Sequence, residues 1–129
     1  MLVLLDSTVL IDYLRGRPVV ARVGRLRRND DVACTTGINV EEVARGLRPG
    51  ELDAAGRLFD GLEIIAIGRR DGWRAGSWRR EFAANGVTLW QADCLIAAVA
   101  QRVGARLATG NPKDFPMPEV QVEHWPVGG

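Results

Sequence analysis

Short apolar runs alternate with helix-period segments along the whole chain, and this alternation limits the fold more than any other feature. Residues 2–5, 31–35, 63–67, 106–109 and 120–123 read as strands. Between them lie segments with apolar residues three and four apart, the spacing of one helix face. Residues 7–15 carry Val9, Leu10, Tyr13 and Leu14 in that spacing, and residues 38–47 carry Val40, Val43, Ala44 and Leu47. Residues 93–103 carry Leu95, Ile96, Val99, Ala100 and Val103. Three further helices are expected over residues 18–28, 49–62 and 69–84. Gly16, Gly86 and Gly104 stand where helices should stop. Strands alternating with helices predict a mainly parallel sheet covered by helices on both faces, an α/β fold. At 129 residues the expectation is a single domain over residues 1–129. Such a sheet binds ligands beyond the carboxyl ends of its strands, where the strand order reverses.

Composition removes several classes of function. The chain is 47% hydrophobic and 26% charged, ordinary for a globular protein and too apolar for disorder. Its 17 cations stand against 16 acids, a net charge of +1, which excludes a uniformly basic nucleic-acid binder. All the cations but Lys113 are Arg. That bias suits phosphate contact, and base composition of the genome explains it equally well. Met1 is followed by only four apolar residues and no basic leader, so the start reads as neither signal nor transit peptide. No apolar run approaches the roughly 18 residues of a membrane span. A cytoplasmic protein with no membrane contact is expected. Cys34 and Cys94, 60 positions apart, read as buried thiols. With His124 as the only His, a His-based triad or a zinc site has no residues to build it.

The acids are more informative. Asp6 follows the first strand, Asp93 opens the most apolar helix, and Asn111 and Asp114 follow the strand ending in Thr109. Glu42 lies in the helix after the second strand, on the face of Ile38 and Gly46. Each has a plain structural explanation: a helix cap, a first-turn acid, a turn, a solvated helix face. Together, Asp6, Asp93 and Asn111/Asp114 share one edge of the expected sheet. Clustered carboxylates repel unless a proton or a cation lies among them. Oxygen donors without His or Cys suit Mg²⁺ or Mn²⁺.

Four segments then carry a resemblance: Leu5-Asp6-Ser7-Thr8-Val9-Leu10-Ile11; Ile38-Asn-Val-Glu-Glu42-Val-Ala-Arg-Gly46; Asp93-Cys-Leu-Ile-Ala-Ala98; and Leu107-Ala-Thr-Gly-Asn111-Pro-Lys-Asp114-Phe115. In this order, over almost the whole chain, they resemble PIN-domain ribonucleases, specifically the VapC-type toxins of type II toxin–antitoxin pairs. The resemblance implies a PIN-like α/β/α sandwich with a short, mainly parallel sheet. It implies Mg²⁺- or Mn²⁺-dependent cleavage of RNA, structured RNA such as tRNA or rRNA being the expected substrate. It also implies a homodimer and neutralisation by a cognate VapB-type antitoxin. Carried over by position, Asp6, Glu42 and Asp93 match the family's acidic metal site. The resemblance implies Glu42 rather than Glu41, because family members place the acid four residues before the Gly that is here Gly46. At the fourth position the chain has Asn111, with Asp114 three residues later. Asp114 is expected to contribute through water, and Asn111 to orient it or the substrate. Ser7 and Thr8 are expected to bond the site carboxylates or to cap the helix.

RNA grip is expected from Arg. Six Arg and no acid lie between Tyr13 and Asn29, among them Arg25, Arg27 and Arg28. The segment 69–81 holds five Arg, Arg74 among them, and two acids, interleaved with Trp73 and Trp78. Such surfaces suit phosphates and unpaired bases, and equally packing, a solvated helix face or antitoxin contact. Two rival readings compete with this one. A receiver-like phosphoacceptor domain needs an Asp ending the third strand, where this chain has Ile67-Gly68. A catalytically silent PIN-fold module that binds RNA or a partner finds its one hint in Asn111.

Overall fold

A computed structural model describes residues 1–128. Its elements, in chain order, are β1 (Leu2–Leu5), α1 (Ser7–Leu14), α2 (Val19–Arg28), β2 (Val32–Thr36), α3 (Gly37–Arg45), α4 (Leu52–Asp60), β3 (Glu63–Ile65), α5 (Arg69–Ala84), α6 (Gln91–Val103), β4 (Arg106–Thr109), a 3-10 turn (Pro112–Asp114) and β5 (Val122–His124). The five strands form one sheet in the order β3-β2-β1-β4-β5. Every pairing is parallel. The expected architecture is therefore the one observed.

Strand alternation explains the two cores. Successive side chains of a strand point to opposite faces. Leu4 faces one layer with its register partners Cys34 and Leu107, packed on Trp78, Ile96, Val99 and Ala100 of α5 and α6. Val3 and Leu5 face the other, against Val9, Leu10, Val43 and Trp125. β1 lies at the centre of the sheet, and its Val3, Leu4 and Leu5 are wholly buried. That double burial is why residues 2–5 are continuously apolar rather than alternating.

Several boundaries moved, each for a local reason. The helix expected over residues 49–62 begins only at Leu52. Gly50 there adopts φ +85°, and the Glu51 carboxylate accepts the Arg48 amide at 2.6 Å, holding the segment as a turn. The strand expected over residues 63–67 stops at Ile65. Thr36, its partner there, is the last residue of β2 before α3 begins, so residues 66 and 67 have no neighbour to pair with. The last strand slides to Val122–His124 because β4 pairs Leu107 with Val122 and Thr109 with His124. α6 starts at Gln91, which makes Asp93 its third residue rather than its first. Gly104 ends α6 with φ +70°, the left-handed position that favours glycine. No described helix is long and apolar enough to cross a membrane.

Candidate functional site

The chain runs β1, β2, β3 outward to one edge, then returns to place β4 on the other side of β1. The order reverses between β1 and β4, and a crevice opens there at the carboxyl ends. Asp6 directly follows β1 at this point and its amide donates to the Ala108 carbonyl of β4 at 2.9 Å. Asp6 is the N-cap of α1, yet its side chain caps nothing. It is held in place from other elements instead. Thr109 Oγ1 donates to Asp6 Oδ2 at 2.8 Å, Thr8 Oγ1 to the same oxygen at 3.2 Å, and Asn39 Nδ2 to Oδ1 at 3.4 Å. The two hydroxyls are held in turn by backbone amides. Gly110 donates to Thr8 Oγ1 at 2.9 Å and Asn111 to Thr109 Oγ1 at 3.0 Å. A hydroxyl that accepts from an amide has its proton free for the carboxylate.

Glu42 faces the same space from α3 and accepts the Ser7 hydroxyl at 2.7 Å. Its neighbour Glu41 points to solvent and pairs with Arg45 at 2.8 Å. Of the two adjacent acids, the one matched by the family pattern is the one that faces the crevice. Asp93 stands in the first turn of α6. Asp114 closes the 3-10 turn after β4, and Asn111 Nδ2 donates to its Oδ2 at 2.8 Å. Ser7 and Thr8 both bond carboxylates.

The electrostatics tie the four acids together. Burial pushes the Asp93 carboxyl up to about 7, and the charges of Asp114, Asp6 and Glu42 add to the shift. Asp6 is also raised, by burial first, against the lowering effect of Thr109, the Ser7 amide and Thr8. Among the described residues, no ion pair involves Asp6, Glu42, Asp93 or Asp114. No three His, Cys, Asp or Glu side chains among the described residues stand close enough to grip an ion together. What fits a cation here is the donor chemistry: carboxylate oxygens with no protein cation to balance them. Mg²⁺ is commonly held in this way, through one or two carboxylates and several waters. Cys94, next to Asp93, is buried in the core, its thiol pushed up to about 11 mainly by burial, so no soft ligand joins the set.

The expected RNA contacts are placed differently. Arg25, Arg27 and Arg28 lie in the last turn of α2, which leads into the amino end of β2, away from the carboxylate edge. Arg74 lies over the Trp78 ring at 4.8 Å, bonds Gln101 at 3.0 Å and pairs with Glu119 at 3.6 Å. Trp78 is a buried packing residue, whereas Trp73 is 77% exposed. The sequence reading missed Asn39 and Thr109 as site residues. The signal for Asn39 was the spacing Thr36-x-x-Asn39, a capping box at the start of α3.

A parallel α/β sheet with a crevice of acids at its reversal point defines an α/β class of fold with an acidic crevice. Within that class the PIN domain family matches residues 3–117, and the chain belongs to this family. Ribonuclease VapC19 of Mycobacterium tuberculosis is 30% identical over 120 residues, covering 92% of this chain and 96% of the relative. Ribonuclease VapC10 of the same organism is 32% identical over 118 residues, covering 90% and 87%. Two solved structures share the fold. VapBC2 from Rickettsia felis, bound to a DNA fragment from its promoter, matches with a TM-score of 0.82 at 23% identity, over 97% of this chain and 99% of that one. FitAcB from Neisseria gonorrhoeae matches with a TM-score of 0.78 at 26% identity, over 98% of each chain.

Proposed function

We propose that this chain is a divalent-metal-dependent endoribonuclease and the toxin of a toxin–antitoxin pair. The observation that carries the reading is the set of four acids, Asp6, Glu42, Asp93 and Asp114, sharing one electrostatic environment with no ion-pair partner. Family membership supports it, as do relatives named ribonucleases. Asp6, Glu42 and Asp93 would hold Mg²⁺ or Mn²⁺, with Asp114 reaching it through water. Bound there, the cation supplies charge stabilisation for the phosphate oxygens and a more acidic water. The chain's own groups do the rest. Thr8, Thr109 and Asn39 keep Asp6 in one orientation. Ser7 does the same for Glu42, and Asn111 for Asp114. A carboxylate of the cluster takes up the proton lost by the attacking water.

The Asn111–Asp114 bond supports the cutting form over a silent binding module, because with Asn at position 111 Asp114 still brings an acid to the site. The substrate is structured RNA such as tRNA or rRNA, cut in the cytoplasm. The chain acts as a homodimer and is neutralised by a VapB-type antitoxin, a reading supported by VapBC complexes of the same fold. The direct test incubates purified chain with RNA in Mg²⁺ or chelator, beside Asp93→Asn. Cleavage that needs the cation and disappears in the variant is expected. Cleavage by Asp93→Asn at the native rate would remove Asp93 from the site, and retention of RNA without cutting would favour the binding module.

A further inference from the structure

Asn39 is wholly buried at the foot of α3, and every polar atom of its side chain is engaged. The backbone amide of Thr36, which can only donate, faces Asn39 Oδ1 at 3.2 Å, and Thr36 Oγ1 donates to the same oxygen at 2.8 Å. The backbone amide alone fixes which end of the side-chain amide is oxygen, and the hydroxyl then donates to it. Nδ2 is therefore turned toward the carboxylate crevice, where it donates to Asp6 Oδ1 at 3.4 Å and to Ser7 Oγ at 3.0 Å. Ser7 Oγ, having accepted from Asn39, sends its only proton to Glu42 Oε1 at 2.7 Å. The direction of each bond follows from the one before it, starting at a backbone amide.

Resting on the metal-dependent reading above, we propose that Asn39 is a positioning residue for the carboxylate site. Its amide, locked by Thr36, holds Asp6 directly and Glu42 through Ser7, so that acids on β1 and α3 keep a fixed separation. A hydroxyl at position 39 is too short to reach Asp6 and Ser7 together while still meeting Thr36. An apolar residue there would leave Ser7 free to turn away from Glu42. Groups that orient metal-binding carboxylates typically change metal affinity about 10- to 100-fold when removed.

The test reads Mn²⁺ alone, as free ion by electron paramagnetic resonance, against wild type, Asn39→Ala, Ser7→Ala and the double variant. Melting temperatures are measured beside it. Asn39→Ser replaces Asn39→Ala if the latter does not fold. Leu26→Ala, a core truncation on α2, serves as a destabilised control whose Mn²⁺ affinity should stay at the wild-type value. Expected are about tenfold weaker binding for the Asn39 variant and a smaller loss for Ser7→Ala. The double variant should fall short of the product of the two, because the residues act along one path. Wild-type Mn²⁺ affinity in the Asn39 variant, whatever its melting temperature, overturns the proposal, as does a double variant equal to the product. Wild-type protein that binds no Mn²⁺ overturns the metal reading itself, and this inference with it.

Discussion

Asp93 holds its proton far above the ordinary range of a carboxyl. An ordinary Asp titrates near 3.8, but here burial and three neighbouring carboxylates push the group up to about 7. The unfolded chain loses this proton above the ordinary value, while the folded chain keeps it to about 7. Between those limits the native state binds more protons, so in chelator the fold should lose stability as pH rises from about 4 to about 7. The full shift corresponds to about 4 kcal/mol, but Asp93 keeps some contact with water, so about 1–2 kcal/mol is expected. Asp93→Asn should recover that amount at pH 7 and none below about pH 4, measured by denaturant unfolding at both values. A variant no more stable than wild type at pH 7 would contradict the crowding of charge around Asp93. Asp6, Asp93 and Asp114 were legible from sequence as acids on one edge of the expected sheet, whereas Glu42, in mid-helix, was picked out only by the family resemblance. Asn39 was not, because an Asn three residues after a Thr reads as a helix cap, and it is one here as well. Its second set of bonds crosses 32 and 33 positions of sequence.

Helix α5 shows how an element's charge can mislead. Its Arg-rich sequence suggested a phosphate surface, but Arg74 and Arg79, the latter donating to the Leu89 carbonyl at 3.1 Å, reach neighbouring elements, while Arg69, Arg70 and Arg80 stand exposed. Arg102 of α6 bonds the buried Asp71 at 2.8 Å, and Asp71 in turn accepts the Gly68 amide at 2.9 Å, closing the start of α5. Arg74 spans Gln101, Glu119 and the Trp78 ring. Arg74→Ala should therefore lower stability by about 1 kcal/mol, the size of one cation–π contact and an exposed ion pair, seen as a shift in the urea midpoint. No shift would mean that these contacts do not persist in solution. Trp78, 1% exposed and donating from Nε1 to Glu119, should cost about 3–5 kcal/mol when cut to Ala. Gly104, at φ +70°, should cost about 1 kcal/mol as Ala, since a Cβ strains that backbone while meeting no neighbour. The ends of α5 and of β4 were readable to the residue. β3 was not, because its length is set by where β2 turns into α3.

Taken whole, the molecule's near-neutral charge conceals a division. Setting the four site acids aside leaves 12 acids against 17 cations, an excess of five positive charges on the rest of the chain. A cation that binds only the folded site should stabilise the fold by mass action, by about 2.7 kcal/mol at a concentration 100 times its dissociation constant. In a chain of this size that raises the melting temperature by about 10 °C. Mn²⁺ should produce this rise in wild type and little of it in Asp93→Asn. An equal rise in both would place the ion elsewhere. The succession of apolar strands and one-faced helices was enough to specify a parallel α/β sheet, because hydrophobic period is a local property of sequence. The same succession, with strand ends marked by Asp6 and Thr109, placed Asp6, Asp93 and Asp114 on one edge, and the family resemblance added Glu42. What it left open is the reversal of strand order that sets β4 against β1, the slide of β5, and the bonds by which Thr36, Asn39 and Ser7 hold two carboxylates. Those depend on which residues distant along the chain become neighbours, and packing alone chooses that.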